Sequence, residues 1–216
     1  LLFVIYNDRE CGLWDFSNSR WAWLDGHRGF VTDAILHPAG GVIATIGRDK
    51  TLKFWKTHFQ DNRPFHSVKF DAWPNAIAWW QNGRQVLLID NKGELFAYSL
   101  QTEKRTKLAD YHARALSIAV APNQKSYAVG LSDGTVMLHQ EGQQPVKIPA
   151  SNAGIDYLKF APNSRILAAA SWDRKIRLYA IAHTQENPIV IDEHDVRAVD
   201  VNFTPRTFYT LCRDNR

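Results

Sequence analysis

Residues Gly26 to Trp55, GHRGFVTDAILHPAGGVIATIGRDKTLKFW, decide the fold. The segment contains three short apolar runs, VTDAILH, VIATIG and TLKFW, separated by the stretches HPAGG and GRDK. Gly, Pro and Asp are typical turn residues, so we expect three strands joined by tight turns. A fourth run, HSVKF, follows a polar stretch. The segment and this run are therefore predicted to form one unit of four short strands.

The same pattern recurs along the chain with a period near 41 residues. The third strand of each unit ends at Trp14, Trp55, Tyr98, His139 or Tyr179, at spacings of 41, 43, 41 and 40 residues. Six residues before these ends lies the turn position, which is occupied by Asp8, Asp49, Lys92, Asp133 and Asp173, and Asp214 continues the series. A period of 40–45 residues with short strands is typical of propeller blades. No stretch of ten or more residues has helical periodicity, so we expect an all-β fold.

With these features the chain resembles the WD40-repeat β-propeller family. The family pattern of Gly-His, an apolar strand, Pro-x-Gly, a second strand, an Asp turn and a strand ending in Trp is met nearly throughout Gly26 to Trp55, and SWDRKIRLY is similarly close. The resemblance implies an all-β WD40-type β-propeller with four complete four-stranded blades, partial blades at both ends and 21 strands in total. We expect one incomplete domain, part of a seven-bladed ring, with units at 1–25, 26–71, 72–111, 112–150, 151–192 and 193–216. The full protein is then expected to have an aromatic residue six positions after Asp214.

The resemblance also implies a structural hydrogen-bond tetrad in each well-preserved blade. One blade has the complete set His27, Thr45, Asp49 and Trp55. Partial sets are found at His112, Asp133, Asp173, His194, Thr210 and Asp214. We expect Asn152 at the His position before Asp173, whereas the blade with Lys92 has lost the set. Because buried polar groups need partners, these residues are interpreted as scaffold rather than as a catalytic or metal site.

The residues flanking the turn position are unusually basic. Five of the twelve flanking residues are Lys or Arg and none is acidic. The family resemblance places this turn on the narrower top face, which we interpret as a partner-binding surface. Its candidate residues are Trp172, Arg48, Lys50, Arg9, Arg174, Arg213 and Arg28. Arg binds carboxylate and phosphate bidentately, and exposed Trp is frequent at binding hot spots. The alternative is that these residues are only solvated turn flanks, whose positive charge is offset by the acidic residues of the entry loops, Asp25, Asp110, Asp156, Asp195 and Glu193.

Composition excludes several classes of function. The chain has 216 residues, a formal net charge of +4 and two cysteines, too few for a disulfide framework or a zinc site. No apolar stretch reaches the ~20 residues of a membrane-spanning helix. No G-x-S-x-G motif, P-loop or Cys-x-x-Cys pair is found. We therefore expect no enzyme activity, cofactor, metal or membrane contact, and an intracellular location in the cytoplasm, the nucleus or both.

The leading hypothesis is a non-catalytic scaffold for protein–protein interactions within a multi-subunit assembly. The alternative is a peptide-reading substrate adaptor that captures acidic or phosphorylated motifs on the basic top face. The modest net charge disfavours nucleic acid as a partner. The expected partners are thus other protein subunits or peptides.

Overall fold

The computed structural model describes residues 2–6, 10–16, 19–57, 62–184, 186–192, 198–204 and 207–212, with side chains described for 11–16, 19–57, 62–184, 186–192, 200–204 and 207–211. Within these ranges the chain forms 21 strands, and the one helical element is a single 3₁₀ turn at Ile181–His183. The all-β prediction is confirmed. No helix in the described ranges is long and apolar enough to cross a membrane.

The chain divides into two compact units, Leu1–Asn91 with Leu95–Leu108, and Lys92–Glu94 with Ala109–Arg216. The prediction of a single domain stays a prediction. The strands of the first three sheets are β1 (Leu2–Tyr6), β2 (Glu10–Asp15), β3 (Arg20–Leu24), β4 (Val31–Leu36), β5 (Val42–Gly47), β6 (Thr51–Lys56), β7 (His66–Lys69), β8 (Pro74–Trp80), β9 (Gln85–Asp90), β10 (Glu94–Ser99) and β11 (Lys104–Asp110).

The strands of the last three sheets are β12 (Ala115–Val120), β13 (Ser126–Leu131), β14 (Thr135–Gln140), β15 (Val146–Pro149), β16 (Ile155–Phe160), β17 (Ile166–Ser171), β18 (Ile176–Ala180), β19 (Ile189–Ile191), β20 (Ala198–Phe203) and β21 (Phe208–Cys212). Sheet 1 is β1–β3, sheets 2 to 5 are β4–β7, β8–β11, β12–β15 and β16–β19, and sheet 6 is β20–β21. Consecutive strands pair with each other in every sheet. The structure thus has the predicted order of one three-stranded sheet, four four-stranded sheets and one two-stranded sheet.

The second strand of each four-stranded sheet is the most buried. The continuous apolar runs of β5, β9, β13 and β17 predict burial on both faces, and at least five of the six residues in each strand are buried. Within the first unit, Ala44, Ile46 and Phe54 of sheet 2 pack against Ile77 and Trp79 of sheet 3. The core of the first unit therefore includes the interface between sheets 2 and 3.

The third strand of sheet 2 contains a lysine that is buried, although Lys53 alternates with the apolar Leu52 and Phe54. Lys53 is only 8% exposed, and its Nζ donates a hydrogen bond to Ser67 Oγ at 3.0 Å on the adjoining strand β7. On the same strand Trp55 packs against Cys11 and Leu13 of sheet 1. Both faces of β6 are covered, so its polar side chain is buried with a partner instead of facing water.

A β-bulge interrupts the first strand of every sheet from sheet 2 to sheet 6. The pairing register shifts by one residue at the second position of each of these strands. The bulged residues are Thr32, Asn75, Leu116, Asp156 and Val199. Because these five residue types differ in polarity and charge, the bulge is a property of the backbone and could not be predicted from the sequence.

Candidate functional site

The hydrogen-bond network of sheet 2 joins the four residues that the resemblance indicated. Trp55 Nε1 donates to Thr45 Oγ1 at 2.8 Å, and Thr45 Oγ1 lies 2.7 Å from His27 Nε2. His27 Nδ1 lies 3.0 Å from Asp49 Oδ2. Because an ionised carboxylate only accepts, Nδ1 carries the ring proton and the Thr45 hydroxyl donates to Nε2. The network thus runs in one direction, from Trp55 through Thr45 and His27 to Asp49.

Asp49 also organises the turn that follows it. Its Oδ1 accepts hydrogen bonds from the Thr51 amide and hydroxyl, and its Oδ2 accepts one from the Arg28 amide. Although burial raises the pKa of Asp49, the bonds from Thr51, Arg28 and His27 lower it below its ordinary value. Burial lowers the pKa of His27, an effect that Asp49 only partly offsets. The pair is therefore a neutral imidazole on a carboxylate, which suits a structural link.

Sheet 5 satisfies the equivalent turn with different residues. Ser151, rather than the expected Asn152, lies 22 residues before Asp173, as His27 lies before Asp49. Its hydroxyl donates to Asp173 Oδ2 at 2.8 Å, and Ser171 Oγ donates to Ser151 Oγ at 2.9 Å. The sequence interpretation missed both serines, although the 22-residue spacing would have pointed to Ser151.

Arg177 completes the network of sheet 5 and adds a charge. Its guanidinium contacts both oxygens of Asp173, at 3.2 Å from Oδ1 and 2.6 Å from Oδ2. Although burial raises the pKa of Asp173, the bonds from Arg177, the Lys175 amide and Ser151 lower it to about 2. Here an ion pair stands where sheet 2 has a neutral histidine.

Sheets 3 and 4 replace the tetrad tryptophan by a tyrosine–histidine pair. Tyr98, at the Trp position of sheet 3, is 2.5 Å from His66 Nε2. His139, at the same position of sheet 4, has its Nε2 2.8 Å from the Tyr111 hydroxyl and stacks on Tyr127 with the ring centres 4.5 Å apart. Burial lowers the pKa of His139 to about 4. These pairs give the buried polar atoms partners without a Thr in the second strand.

Among the described residues of sheet 4, His112 and Asp133 do not form the hydrogen bond of a tetrad. The His112 side chain is 88% exposed and pairs with Asp110 at 3.3 Å instead of Asp133, because His112 has a left-handed backbone with φ of 54°. Asp133 accepts a hydrogen bond from the Thr135 amide. Thr210 is half-buried on β21, opposite Val201. His194, Asp214, Arg9 and Arg213 lie outside the described residues.

A repeated backbone hydrogen bond fixes pairs of residues at the turn end of sheets 2 to 5. The amide before the turn position donates to the carbonyl of the residue that precedes the first strand of the same sheet, at 2.8 to 2.9 Å. We call these residues the rim pairs: Phe30 with Arg48, Trp73 with Asn91, Arg114 with Ser132, and Gly154 with Trp172. The rim pairs therefore hold predicted partner-binding residues next to residues that the sequence interpretation did not single out.

In the first unit the rim pairs bring Arg48 between two aromatic rings. Its guanidinium carbon lies 5.3 Å from the centre of the Phe30 ring and 5.9 Å from that of Trp73. Phe30 is 43% and Trp73 45% exposed. Trp73 is not among the candidate residues of the sequence analysis, although its place directly before a first strand would have pointed to it.

In the second unit Trp172 lies on the rim and is 41% exposed. A Cβ atom on Gly154 would come within 2.9 Å of the Trp172 ring and of Leu116 Cδ1. Trp172 thus combines a packed face against Gly154 with an exposed one, as an interaction hot spot requires.

The basic residues that follow the turn position have a special backbone. Lys50 and Arg174 adopt positive φ values of 64° and 70°, whereas sheets 3 and 4 have Gly93 and Gly134 at this place. Lys50 Nζ donates to the carbonyl oxygen of Asp71 at 3.1 Å. Arg28 and Arg174 are exposed. The left-handed turn positions the basic side chains on the same end of each sheet as the rim pairs.

A groove in the second unit lacks acid–base groups among its described residues. The groove, about 520 Å³ in volume, is lined by Pro162, Asn163, Phe203, Thr204, Thr207 and Phe208, among others, at the end of the sheets opposite the turns, and its described lining has no titratable side chain. Across the part of the chain that the structure describes, no group of three His, Cys, Asp or Glu residues could hold a metal ion. The rim is therefore the candidate site.

Comparison with known proteins agrees with this architecture. Residues 19–56 and 142–180 match the family model described as WD domain, G-beta repeat. The chain is 30% identical over 107 residues to p21-activated protein kinase-interacting protein 1-like of Gallus gallus, which covers 48% of this chain and 28% of the relative. It is 21% identical over 207 residues to WD repeat-containing protein slp1 of Schizosaccharomyces pombe, covering 90% of this chain and 40% of the relative.

A third similar protein is apoptotic protease-activating factor 1 of Danio rerio, 22% identical over 183 residues, which covers 83% of this chain and 14% of the relative. The chain thus spans two fifths or less of the length of each of these relatives.

The repeated four-stranded sheets and the two matching segments define a class of repeat protein. Two segments of the chain match the WD40-repeat family model, and its four-stranded antiparallel sheets are consistent with the blades of that family. WD40 repeats form propeller blades and serve in general as interaction modules for other proteins or peptides, without chemistry of their own.

Proposed function

We propose that this chain is a non-catalytic scaffold that holds protein partners within a multi-subunit assembly, in the cytoplasm, the nucleus or both, and that the rim pairs are its contact surface. The observation that carries the proposal is the exposure of Phe30, Trp73 and Trp172, each of which belongs to a rim pair of its sheet. Aromatic side chains at interfaces supply large contact areas at a low entropic cost. The Gallus gallus relative is named as a protein that interacts with a protein kinase, which supports a protein as the partner.

The test is affinity capture with the intact chain as bait from an extract of its source cells. We expect Trp73→Ala and Trp172→Ala to reduce captured partners at least about fivefold, since a hot-spot residue contributes 1 kcal/mol or more. The matched control is Phe16→Ala, because Phe16 is a 66% exposed aromatic residue away from the rim pairs. Equal capture by the rim variants and the control, with unchanged thermal midpoints, would refute the proposal.

The second candidate is a substrate adaptor that reads acidic or phosphorylated peptide motifs through the same rim. It is favoured by the basic residues beside the turn, Arg28, Arg48, Lys50 and Arg174, because arginine binds carboxylate and phosphate in a planar fork. Pull-downs with matched phosphorylated and unphosphorylated peptides distinguish the two functions. A scaffold retains its partners after phosphatase treatment, whereas a phosphopeptide reader loses them.

A further inference from the structure

Arg48 lies in a small site that the backbone of the first unit builds. The Arg48 amide donates to the Phe30 carbonyl at 2.8 Å, which places the two side chains next to each other. Trp73 is fixed from both sides: its amide donates to Asn91 Oδ1 at 3.0 Å, and its carbonyl accepts from the Asn91 amide at 2.9 Å. Both rings and the guanidinium are thus positioned before any partner arrives.

The guanidinium of Arg48 contacts two aromatic rings but no carboxylate in the described part of the chain. No acidic side chain there forms an ion pair with it. The neighbouring carboxylate of Asp49 already accepts from His27, Thr51 and the Arg28 amide. Stacking on aromatic rings engages the faces of a guanidinium and leaves its in-plane N–H groups for an oxyanion.

Arg105 is a useful comparison because it also lies over two rings of the same unit. Its guanidinium carbon is 5.2 Å from the Phe70 ring and 5.5 Å from the Phe96 ring. Phe70 is only 2% exposed, and the Arg105 guanidinium donates to the Lys69 carbonyl. Arg105 therefore covers the core, whereas Arg48 lies between two rings that are themselves nearly half exposed.

We propose that Phe30, Arg48 and Trp73 bind a peptide segment in which an Asp or Glu side chain stands next to an apolar residue. The carboxylate accepts two N–H groups of Arg48, and the apolar side chain packs on the exposed face of Trp73 or Phe30. The inference rests on the proposed function, since it assigns the chemistry of one contact on the rim.

A carboxylate fits this site better than a phosphate. One guanidinium matches the two oxygens of a carboxylate, whereas a phosphate dianion calls for several cations. The nearby ammonium of Lys50 is bound to the Asp71 carbonyl, and the exposed Asp71 side chain adds a negative charge to the same loop. This arrangement penalises a second negative charge on the ligand.

The experiment titrates the intact chain, labelled with ¹⁵N in its tryptophan indoles, with three blocked dipeptides: acetyl-Glu-Leu-amide, acetyl-Gln-Leu-amide and acetyl-phosphoserine-Leu-amide. Trp73→Phe assigns the Trp73 indole signal. We expect the Glu dipeptide to shift this signal with a Kd about tenfold lower than that of the Gln dipeptide, the difference made by one charge-assisted pair. Arg48→Gln should abolish that difference.

Two variants control for charge and for stacking. Arg84→Gln removes one exposed arginine from the β8–β9 hairpin, at the other end of the sheet, and should leave the tenfold preference intact. Arg105→Gln should lower the thermal midpoint and also retain the preference. A preference that persists in Arg48→Gln, the absence of any Trp73 shift, or a phosphoserine dipeptide that binds tenfold more tightly than the Glu dipeptide would each overturn the inference.

Failure of this inference is distinguishable from failure of the proposed function. If the dipeptides do not bind but Trp73→Ala and Trp172→Ala capture fewer partners, the scaffold function is supported and the carboxylate site is refuted. If the dipeptides bind as expected while capture by the rim variants is unchanged, the carboxylate site is supported and the scaffold function is refuted.

Discussion

Thr45 is the residue on which the polar network of sheet 2 depends, because one hydroxyl accepts from Trp55 and donates to His27. We expect Thr45→Val to leave the indole N–H and the imidazole Nε2 without partners in the core. Each unsatisfied group costs about 1–3 kcal/mol, so the free energy of unfolding should fall by about 3 kcal/mol. Urea unfolding followed by tryptophan fluorescence measures this. Thr45→Ser keeps the hydroxyl, so its free energy of unfolding should fall by less than half as much. Equal losses in the two variants would mean that the effect comes from packing and not from hydrogen bonding.

His139 should make the chain sensitive to acid. Its folded-state pKa is about 4, so between pH 6.5 and about 4 the unfolded chain binds a proton that the folded chain does not. Stability contributed by the neutral ring is complete above pH 6.5 and is lost as the pH falls through this window. His27, whose pKa is also lowered by burial, acts in the same direction.

Asp33 opposes this trend, since burial raises its pKa to about 6 despite hydrogen bonds from the Ile77 and Ala34 amides. Its contribution is present at low pH and is lost as the pH rises from about 4 to 6. The measurement is therefore a difference: thermal midpoints of the wild type and His139→Phe between pH 7.5 and 4. We expect the midpoint of the wild type to fall more than that of the variant, and parallel curves would contradict the assignment.

At the scale of elements, sheets 2 and 5 solve one packing problem in two ways. A Cβ atom on Gly47 would lie 2.8 Å from His27 Nδ1, so the histidine of sheet 2 requires a glycine there. Sheet 5 has Ser171 at that position and the smaller Ser151 in place of the histidine. A large residue in the preceding loop is thus accompanied by a glycine two positions before the turn Asp, and a small loop residue by a serine there.

We expect Ser151→His alone to destabilise the chain by about 1–3 kcal/mol through overpacking. Adding Ser171→Gly should recover at least half of that loss, although a glycine in a strand costs about 0.5–1 kcal/mol by itself. Thermal unfolding of both single variants and the double variant gives the coupling. Additive effects would show that the two positions do not share space.

The turn of sheet 4 requires glycine for a different reason. Gly134 has φ of 85°, and a Cβ atom there would lie 1.9 Å from the Ser151 carbonyl oxygen. We expect Gly134→Ala to cost more than about 3 kcal/mol, since both strain and collision oppose it. Gly142→Ala is the control, because Gly142 has φ of 73° with no atom within 4 Å, and should cost only about 1 kcal/mol. Similar losses for the two variants would show that strain alone matters.

The strands could be predicted from the sequence because apolar runs and turn residues are local signals. The runs VTDAILH, VIATIG, TLKFW and HSVKF match β4, β5, β6 and β7 to within one residue at each end. The bulges could not be predicted from the sequence, since they follow from backbone packing and not from residue type. The network of sheet 2 was predictable by resemblance, whereas Ser171 and Arg177 were not, because they satisfy the same turn with chemistry that the family pattern lacks. Phe30 and Trp73 act through their neighbour Arg48, and a sequence does not show which side chains meet.

At the scale of the whole molecule, the formal net charge of +4 on 216 residues predicts weak binding to nucleic acid. We expect a fluorescent 30-base-pair duplex to show a shallow salt dependence, with the logarithm of the affinity falling by less than about 3 per decade of NaCl. Fluorescence anisotropy between 0.05 and 0.3 M NaCl measures it. A slope steeper than about 5 would indicate extensive phosphate contacts and would contradict a role confined to protein partners.

The matched WD segments and the sheets are out of phase by one strand. Residues 19–56 run from β3, the last strand of sheet 1, through β6 of sheet 2, and residues 142–180 run from β15 of sheet 4 through β18 of sheet 5. A duplicated or deleted sequence repeat would therefore always cut through two sheets. The first strand of each sequence repeat completes the sheet before it. The gain or loss of a whole repeat is therefore tolerated only if the next repeat can supply the same strand. The sequence repeat is thus not an independent structural unit, because its neighbours must pair with it.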